Sequence, residues 1–498
     1  MADNTDASVL EAHSASLVQI ALSAFSDDSI VVKESGVLLL HSLVESLPKP
    51  CIAASYSFVV PALKELAFYL HNVGADDLSG QAVGTLCMLG EAAGKESFYA
   101  DAIDIVAFLR TLQSKIDTNV GIVKSSDLQM FVLKAWVRVI RCIGVEALPH
   151  LHELVSKILG LITQDVRADY DDGDDAEQRS DVVMVETEEG WQAVRSAAVE
   201  EQSEALQMLL HLAENLQQIM AGYVDVIMKA IGPLVSSPHE DIRSFSLVLL
   251  PELVRVVFKA NNNDQALCDS FLSNILHIIV GAIESEASAE LIMTGLQALR
   301  SCIENSSVVW RSENKGSRGP AVLSAVQMDS LAQCSKIILR DSLQRRAVLR
   351  AEARVSGGLE DGDVEDETLF MSETMELLFN IAELLNVIFK TNGMQFMPTF
   401  VSQWHDAILT MADPACLRED RQFSFLVICD VIEFGLDENS AGEYLSLVIP
   451  LLTECCAGPY DPAGRQSCCY ALGTAAQRFP VAFNPFVQVT STSFSRAD

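Results

Sequence analysis

One segment comes close to a phosphate-binding loop, which holds phosphates with backbone amides, a lysine and a hydroxyl that binds magnesium. Three residues, instead of four, separate Gly90 from Gly94. Glu96 follows Lys95 at the position where the hydroxyl belongs. The segment therefore fails the pattern, and Gly94 is better interpreted as the glycine that ends one helix before the next begins.

Histidine and cysteine pairs are the next candidates, because their side chains bind metals. His150 and His152 lie beside Glu153, but residues two apart on a helix point in different directions. The adjacent pairs at 455–456 and 468–469 also diverge on a helix, and no histidine lies at zinc-ligand spacing. We interpret the twelve cysteines as small, mostly buried residues, and we expect no metal and no cofactor.

Catalytic signatures are missing from the sequence, which contains no HExxH, GxSxG, GxGxxG, CxxC or kinase motif. Nine scattered histidines suggest no nucleophilic triad by their spacing. The sequence predicts a protein that is not an enzyme, although a triad assembled only by folding leaves no sequence signal.

Composition excludes further classes of protein. The 498 residues include 34 Lys+Arg and 68 Asp+Glu, a net charge of −34 that disfavours unaided binding to nucleic acid or to anionic membranes. A hydrophobic fraction of 49% argues against a disordered acidic chain. We also expect no transmembrane helix, because no run of about 18 uncharged apolar residues occurs. The acidic N-terminus is unlike a signal peptide, so we expect an intracellular protein.

Apolar residues recur three or four positions apart, as at Val59, Leu63, Leu66 and Leu70, which predicts helices. Helices must therefore position any functional site. Pairs of helices recur as well: the first contains a proline and the second opens on an acidic residue. Second helices open near Asp28, Asp77, Asp127, Glu240, Glu419 and Asp461. The intervals 28–77, 77–127 and 419–461 are 49, 50 and 42 residues. HEAT units have a similar period of about 40–47 residues, which predicts an all-α HEAT-repeat α-solenoid, a superhelix of antiparallel helix pairs.

Two charged segments interrupt the repeats. Residues 165–190 contain eleven acidic and two basic residues, so we expect an exposed insertion. A basic helix from Lys336 to Arg354 precedes an acidic run, and we favour mutual neutralisation over a nucleic-acid site. The predicted organisation is repeats at 1–163, an acidic insertion loop at 164–194, repeats at 195–355, an acidic linker at 356–367, repeats at 368–486 and a polar tail at 487–498.

A long acidic solenoid can bind an extended or folded partner, because each repeat contributes a few side chains to one surface. The negative charge would attract basic partners and accelerate their association. A simpler alternative remains open, in which the acidity serves only solubility.

Several stretches occur in the order and spacing of a known family. They are LGEAAGKESF at 89–98, EGW at 189–191, DRQF at 420–423, CDVIE at 429–433 and GRQSCCYALG at 464–473. On these residues the chain resembles the importin-beta superfamily of nuclear transport receptors, the karyopherins, most closely the importin beta-three class. The resemblance covers roughly residues 30–486 and corresponds to the central part of such a receptor. Cys429 and Phe423 depart from the acidic residue and the tryptophan usual there.

The resemblance implies a nuclear import receptor that moves between cytoplasm and nucleus and passes transiently through the nuclear pore. Its expected partners are basic protein cargo with nuclear localisation signals, the GTPase Ran in its GTP form, which releases cargo, and Phe-Gly nucleoporins. The expected cargo-binding residues are Asp127, Trp136, Glu201, Asp241, Asp420, Asp430 and Glu433. The expected Ran contacts in the acidic loop are Asp171, Asp172, Asp174 and Asp175. The alternative is a HEAT scaffold subunit of a multiprotein complex that does not depend on Ran.

Overall fold

The computed structural model of the chain describes residues 7–118, 126–144, 148–164, 182–187, 190–261, 264–313, 322–355, 361–457 and 462–488. The chain divides into two compact units, Met1–Ala230 (unit 1) and Ile231–Asp498 (unit 2). The predicted all-α HEAT-repeat fold is confirmed, since both units consist of packed helix pairs.

Unit 1 contains four helix pairs, α1/α2, α3/α4, α5/α6 and α7/α8. Their bounds are α1 Ala7–Phe25, α2 Ile30–Ser46, α3 Lys49–Asn72, α4 Asp76–Ala93, α5 Lys95–Thr118, α6 Ser126–Ile143, α7 Leu148–Ile162 and α8 Ser196–Leu216. Helix α9, Val224–Ile231, spans the boundary of the units. The second helix of each pair packs on the next second helix, so that α2, α4, α6 and α8 form one layer. Its core includes Leu40, Leu86, Leu133 and Leu209, which are almost completely buried.

Unit 2 begins with α10, Glu240–Ala260, and continues with further helix pairs. Their bounds are α11 Gln265–Glu284, α12 Ala289–Glu313, α13 Ala325–Val355, α14 Asp361–Asn392, α15 Met397–Gln403, α16 His405–Met411, α17 Arg418–Asp430, α18 Ala441–Ala457, α19 Pro462–Arg478 and α20 Pro480–Phe483. Helices α15 and α16 together take the place of one first helix before α17. The second-helix layer of unit 2 consists of α10, α12, α14, α17 and α19.

The charged segments differ from the predicted organisation in two places. Two antiparallel strands, β1 Val182–Thr187 and β2 Gly190–Arg195, form a hairpin inside the expected insertion loop, with Glu186 opposite Trp191. β1 begins with the β-favouring run VVMV, which the count of acidic residues obscured. The expected linker at 356–367 is also too long, because α14 already begins at Asp361. Acidic residues are favourable at a helix N-terminus, since they oppose the positive end of its dipole.

Length and composition alone would allow three described segments to cross a membrane: Lys49–Asn72, Ser196–Ser236 and Gln265–Glu284. Each of these segments contains charged residues, so none is the uncharged apolar run on which the expectation rests. Within the structure, α3 packs against α4 and α11 packs against α12, as HEAT helices do.

Candidate binding site

Three carboxylates lie close together in the second-helix layer of unit 2. Asn386 Nδ2 of α14 donates a hydrogen bond to Asp430 Oδ1 at the end of α17 over 2.6 Å. The Tyr470 hydroxyl of α19 donates to Glu433 Oε2 over 2.8 Å. The negative charges of Glu383 of α14 and of Glu433 both raise the pKa of Asp430. We call Glu383, Asp430 and Glu433 the carboxylate cluster.

The backbone around the cluster is irregular, and this irregularity places Glu433. After Asp430 the chain continues as a π-helical turn, Val431–Gly435, before it leaves the helix. Such turns are rare and are frequent at functional sites. Gly435 allows the turn to approach the core, because a Cβ there would lie 2.7 Å from the sulfur of Met397 and 3.1 Å from the Phe389 ring.

Helix α14 holds the other side of the cluster. Glu383 and Asn386 are three residues apart and so lie on one side of the helix. Phe389, one turn further along α14, anchors the helix, and its ring packs 4.8 Å from Phe396 and 5.2 Å from Phe400. Gly393 ends this region with a φ of +56°, a conformation that favours glycine.

The cluster carries more negative charge than the protein neutralises. The pKa of Asp430 is raised to about 7, first by burial and then by the charges of Glu433 and Glu383, against the hydrogen bond from Asn386 and the charge of Lys390. Arg300 Nη1 contacts Glu383 Oε2 over 2.8 Å, and Asp430 and Glu433 receive hydrogen bonds from the neutral Asn386 and Tyr470. An added cation would therefore be stabilised here, and a lysine or arginine side chain fits that requirement.

The predicted residues of unit 2 have different environments. Asp430 and Glu433 lie together in the cluster, while Asp241 is exposed in the first turn of α10, with its carboxylate 3.7 Å from His239 Nδ1. Asp420 is buried, and its Oδ2 lies 2.6 Å from Arg346 Nη2 of α13. Its charge is already matched inside the protein, so it does not offer an exposed carboxylate to cargo.

Unit 1 contains the other predicted residues. Asp127 is exposed in the first turn of α6, and Glu201 is half-buried and accepts a hydrogen bond from Gln164 Nε2 over 3.1 Å. Trp136 is buried, with 4% of it exposed, and its ring stacks 5.1 Å from His150 in the wall of a cavity of about 260 Å³. The predicted Ran contacts in the acidic loop lie outside the described residues, at Asp171, Asp172, Asp174 and Asp175.

Three contributors to the cluster region were missed from the sequence: Glu383, Asn386 and Tyr470. Tyr470 belongs to the GRQSCCYALG stretch that carried the resemblance, and its spacing from Glu433 is one repeat of 37 residues. Glu383 and Asn386 left a weaker signal, a polar pair three apart among the apolar residues of α14. Only the fold shows that Asn386 meets Asp430 and that Tyr470 meets Glu433.

The structure also settles the motifs that resembled catalytic or metal sites. Gly94 ends α4 with a φ of +94°, and Lys95 begins α5, so the helix-ending interpretation is confirmed. His150 stacks on Trp136, whereas His152 lies 6.2 Å from Tyr223. Nine of the twelve cysteines are buried. Among the described residues, no group of three His, Cys, Asp or Glu side chains could hold a metal ion.

The basic helix is neutralised by other partners than expected. Arg346 pairs with Asp420 of α17, and Lys336 Nζ donates a hydrogen bond to the carbonyl of Gln403. The acidic run that was expected to neutralise these bases lies mostly in α14, where its side chains are outside the described residues. Packing against later repeats thus accounts for these two bases.

Apolar grooves accompany the charged site in unit 2. One, of about 630 Å³, lies between α11 and α13 and is lined by Ile283, Ile337, Ile338 and Val348. Another, of about 410 Å³, lies between α14 and α17, where Met375 and Phe379 are about half exposed. Exposed apolar side chains in a groove between helices are suited to binding an apolar side chain of a partner.

Comparison with known proteins agrees with these features. The family model Importin repeat 6 matches residues 317–412. A probable importin-5 homolog from Dictyostelium discoideum is 22% identical over 449 residues, which are 87% of this chain and 38% of that protein. The crystal structure of Kap121p matches all of this chain and 45% of its own, with a TM-score of 0.75 at 18% identity. The chain is thus similar to an importin in sequence and to a karyopherin in fold.

A second structure of the same karyopherin, Kap121p bound to RanGTP, has a TM-score of 0.71 at 19% identity and again covers 45% of that chain. At this identity the structures show the HEAT-repeat fold of the superfamily and no more. The chain spans less than half the length of the relatives it matches. These relatives are transport receptors and not enzymes, which agrees at the family level with the expectation of a non-enzyme.

Proposed function

We propose that this chain is a nuclear import receptor of the importin-beta type, and that the carboxylate cluster of unit 2 binds lysine or arginine side chains of basic protein cargo. The observation that carries the proposal is the pairing of Asp430 and Glu433 with the neutral donors Asn386 and Tyr470. These donors fix the carboxylates in place but leave their charge uncompensated. A basic cargo side chain would supply the missing charge at a preorganised site.

Asp127, Glu201 and Asp241 remain proposed cargo contacts, since their carboxylates are exposed or half-buried. They would extend electrostatic attraction beyond the cluster, in a way that weakens as salt increases. Charge on exposed carboxylates would act mainly on the rate of association, whereas the cluster, which is partly desolvated, would act on the lifetime of the complex.

We further propose that the chain responds to Ran in its GTP form and passes the pore by binding Phe-Gly nucleoporins. Kap121p, of the same fold, has been crystallised bound to RanGTP, to Pho4p and to Nup53p. The apolar grooves between α11 and α13 and between α14 and α17 would accept phenylalanine side chains. Asp171, Asp172, Asp174 and Asp175 are the proposed Ran contacts, and the protein would move between cytoplasm and nucleus.

The cargo site is tested by fluorescence anisotropy with a labelled short peptide rich in lysine and arginine. The double variant Asp430→Asn/Glu433→Gln removes the two carboxylate charges that neutral donors hold and is expected to weaken binding about tenfold. The control Glu438→Gln/Glu443→Gln removes the same charge from exposed positions of unit 2 outside the cluster and is expected to change affinity less than about twofold. Equal losses in both variants would contradict a defined cargo site.

Ran dependence is tested separately by pull-down with Ran loaded with GTP or GDP. The receptor proposal expects GTP-dependent binding and displacement of the basic peptide. Binding to the basic peptide without any effect of Ran's nucleotide would favour the scaffold alternative instead.

A further inference from the structure

Four cysteines face each other between α18 and α19, at the end of unit 2. The Cys456 and Cys469 sulfurs are 3.5 Å apart, and the Cys468 thiol is hydrogen-bonded to Cys455. Cys469 is exposed, whereas Cys455, Cys456 and Cys468 are buried. Thus one thiol of the group is open to solvent and is in contact with a buried partner on the other helix.

We propose that Cys456 and Cys469 form a peroxide-oxidisable dithiol, a modification site that closes to a disulfide between α18 and α19. The contact distance is about 1.5 Å longer than the sulfur–sulfur bond of a disulfide, so a small rotation of the side chains brings the sulfurs together. Cysteines elsewhere in the described chain lack this combination of an exposed thiol and a sulfur neighbour; Cys51, for example, contacts a carboxylate oxygen of Glu11.

Exposure decides which thiol reacts first. Burial, and then the hydrogen bond with Cys469, raises the pKa of Cys456 to about 12, so its thiolate is scarce at neutral pH. Cys469 is reachable from solvent and therefore meets a peroxide first. Cys456 then acts as the resolving thiol, because it already contacts the Cys469 sulfur.

The reaction balances with hydrogen peroxide as the oxidant. The Cys469 thiolate attacks one peroxide oxygen, the O–O bond breaks, and the departing hydroxide takes up the thiol proton as water. Cys469 is then a sulfenic acid. The Cys456 sulfur attacks it, the S–O bond breaks, and the leaving hydroxide takes the Cys456 proton as a second water. The two thiols lose two electrons together, and the peroxide is reduced to two waters.

The disulfide would restrain the segment next to the carboxylate cluster. It would join α18 and α19 across the residues that connect them, and a covalent link of this kind limits the unfolded chain. Tyr470 follows Cys469 directly and donates its hydrogen bond to Glu433. Oxidation would therefore fix the backbone beside Tyr470, which holds Glu433 of the cluster in place.

The test is stoichiometric hydrogen peroxide treatment of the whole chain, followed by alkylation, trypsin digestion without reductant, and mass spectrometry. Trypsin separates residues 422–465, which contain Cys429, Cys455 and Cys456, from residues 466–478, which contain Cys468 and Cys469. A disulfide-linked pair of these peptides is expected, with the intact protein lighter by two hydrogen atoms. Dithiothreitol should restore the thiols, and the oxidised form should melt at a higher temperature.

Variants assign the linkage. Cys469→Ser, at an exposed position, should reduce the linked peptides to background, and Cys456→Ser should do the same. Cys468→Ser should retain the link, as should Cys416→Ser, which removes a half-exposed thiol elsewhere in unit 2. Circular dichroism checks that each variant is folded. Linked peptides that persist in Cys469→Ser, or a Cys469 that proceeds to sulfinic acid without any link in the unmodified chain, would overturn the proposal.

Discussion

The second-helix layers of the two units compensate their carboxylates in different ways. In unit 1, Glu91 of α4 lies 2.7 Å from Arg141 and 3.8 Å from Arg138, and Glu204 of α8 pairs with Lys134. In unit 2, Asp430 and Glu433 are held by an amide and a phenol. Ion pairs join neighbouring repeats in unit 1, whereas at Asp430 and Glu433 of unit 2 neutral donors leave negative charge available.

The difference shows that acidic composition alone does not identify a binding surface. A carboxylate paired with arginine contributes little to the field felt by a partner, and its removal disturbs the repeat contact. A carboxylate held by neutral donors lacks a compensating cation, and the raised pKa of Asp430 indicates that its negative charge is unfavourable until a cation binds. Four substitutions separate these two kinds of carboxylate.

Asp420→Ala should have the largest effect, and it acts on stability. The variant leaves the Arg346 guanidinium buried without its partner, which should lower the free energy of unfolding by about 3–5 kcal/mol. Urea unfolding followed by circular dichroism measures the change. The control Asp241→Ala, at an exposed position, should stay within about 0.5 kcal/mol.

The double variant Arg346→Met/Asp420→Leu should recover most of the lost stability, because apolar side chains of similar size often replace a buried ion pair without cost. An unfolding free energy of Asp420→Ala equal to that of the unmodified chain would show that this carboxylate is not structural.

Asp430→Asn should stabilise the protein at pH 8, by about 2 kcal/mol, while retaining an oxygen that accepts from Asn386. The folded-state pKa of about 7 lies above the unfolded value of 3.8, so the folded chain holds the proton more tightly. The protonated Asp430 carboxyl therefore stabilises the folded chain fully below pH 3.8, and this stabilisation is lost as the pH rises to about 7. The asparagine variant should lose this part of the pH dependence, which melting curves from pH 4 to pH 8 would reveal.

The same group makes cargo binding depend on pH, because a cation binds the ionised carboxylate more tightly. Affinity of the unmodified chain for the basic peptide should fall as the pH drops below about 7. Asp430→Asn should weaken binding and flatten this profile. If Asp430→Asn kept the pH profile of the unmodified chain, another titrating group would cause the pH dependence of binding.

The sequence predicted the repeats well, because helical periodicity and acidic helix starts are local features. Glu240 does begin α10, and Asp77 lies in the first turn of α4. Prolines were less reliable: Pro61 and Pro450 are inside helices, but Pro149 and Pro398 lie in first turns, where proline costs little.

The site was harder to predict, because burial and pairing depend on residues far apart in the chain. Asp420 looks like a solvated residue of a helix start, yet Arg346, 74 residues earlier, encloses it. Asp430 and Glu433 were predicted, but not the partners that hold them. The π-helical turn that positions Glu433 has no sequence signal of its own, since it results from packing against Phe389 and Met397.

Tyr470→Phe should have a smaller effect, since it removes one hydroxyl from an exposed ring. The loss of its hydrogen bond to Glu433 should cost about 0.5–1 kcal/mol of stability and weaken basic-peptide binding two- to threefold, roughly, because Glu433 is no longer preorganised. Anisotropy titrations measure the binding. Tyr444→Phe is a control without a cluster contact among the described residues, since that buried ring lies 5.8 Å from His405. Unchanged affinity in Tyr470→Phe would show that Glu433 needs no fixed orientation.

Glu91→Gln in unit 1 should have the smallest effect, and it returns to the contrast between the two layers. It removes one negative charge, as Glu433→Gln does in unit 2, but that charge is already matched by Arg138 and Arg141. Stability should fall by about 0.2–1 kcal/mol, because the ion pairs are partly exposed, and affinity for the basic peptide should stay within about twofold. Glu433→Gln should show the reverse pattern, with weaker binding and nearly unchanged stability. If both variants weakened the peptide equally, total charge and not the neutral donors of unit 2 would determine where a basic partner binds.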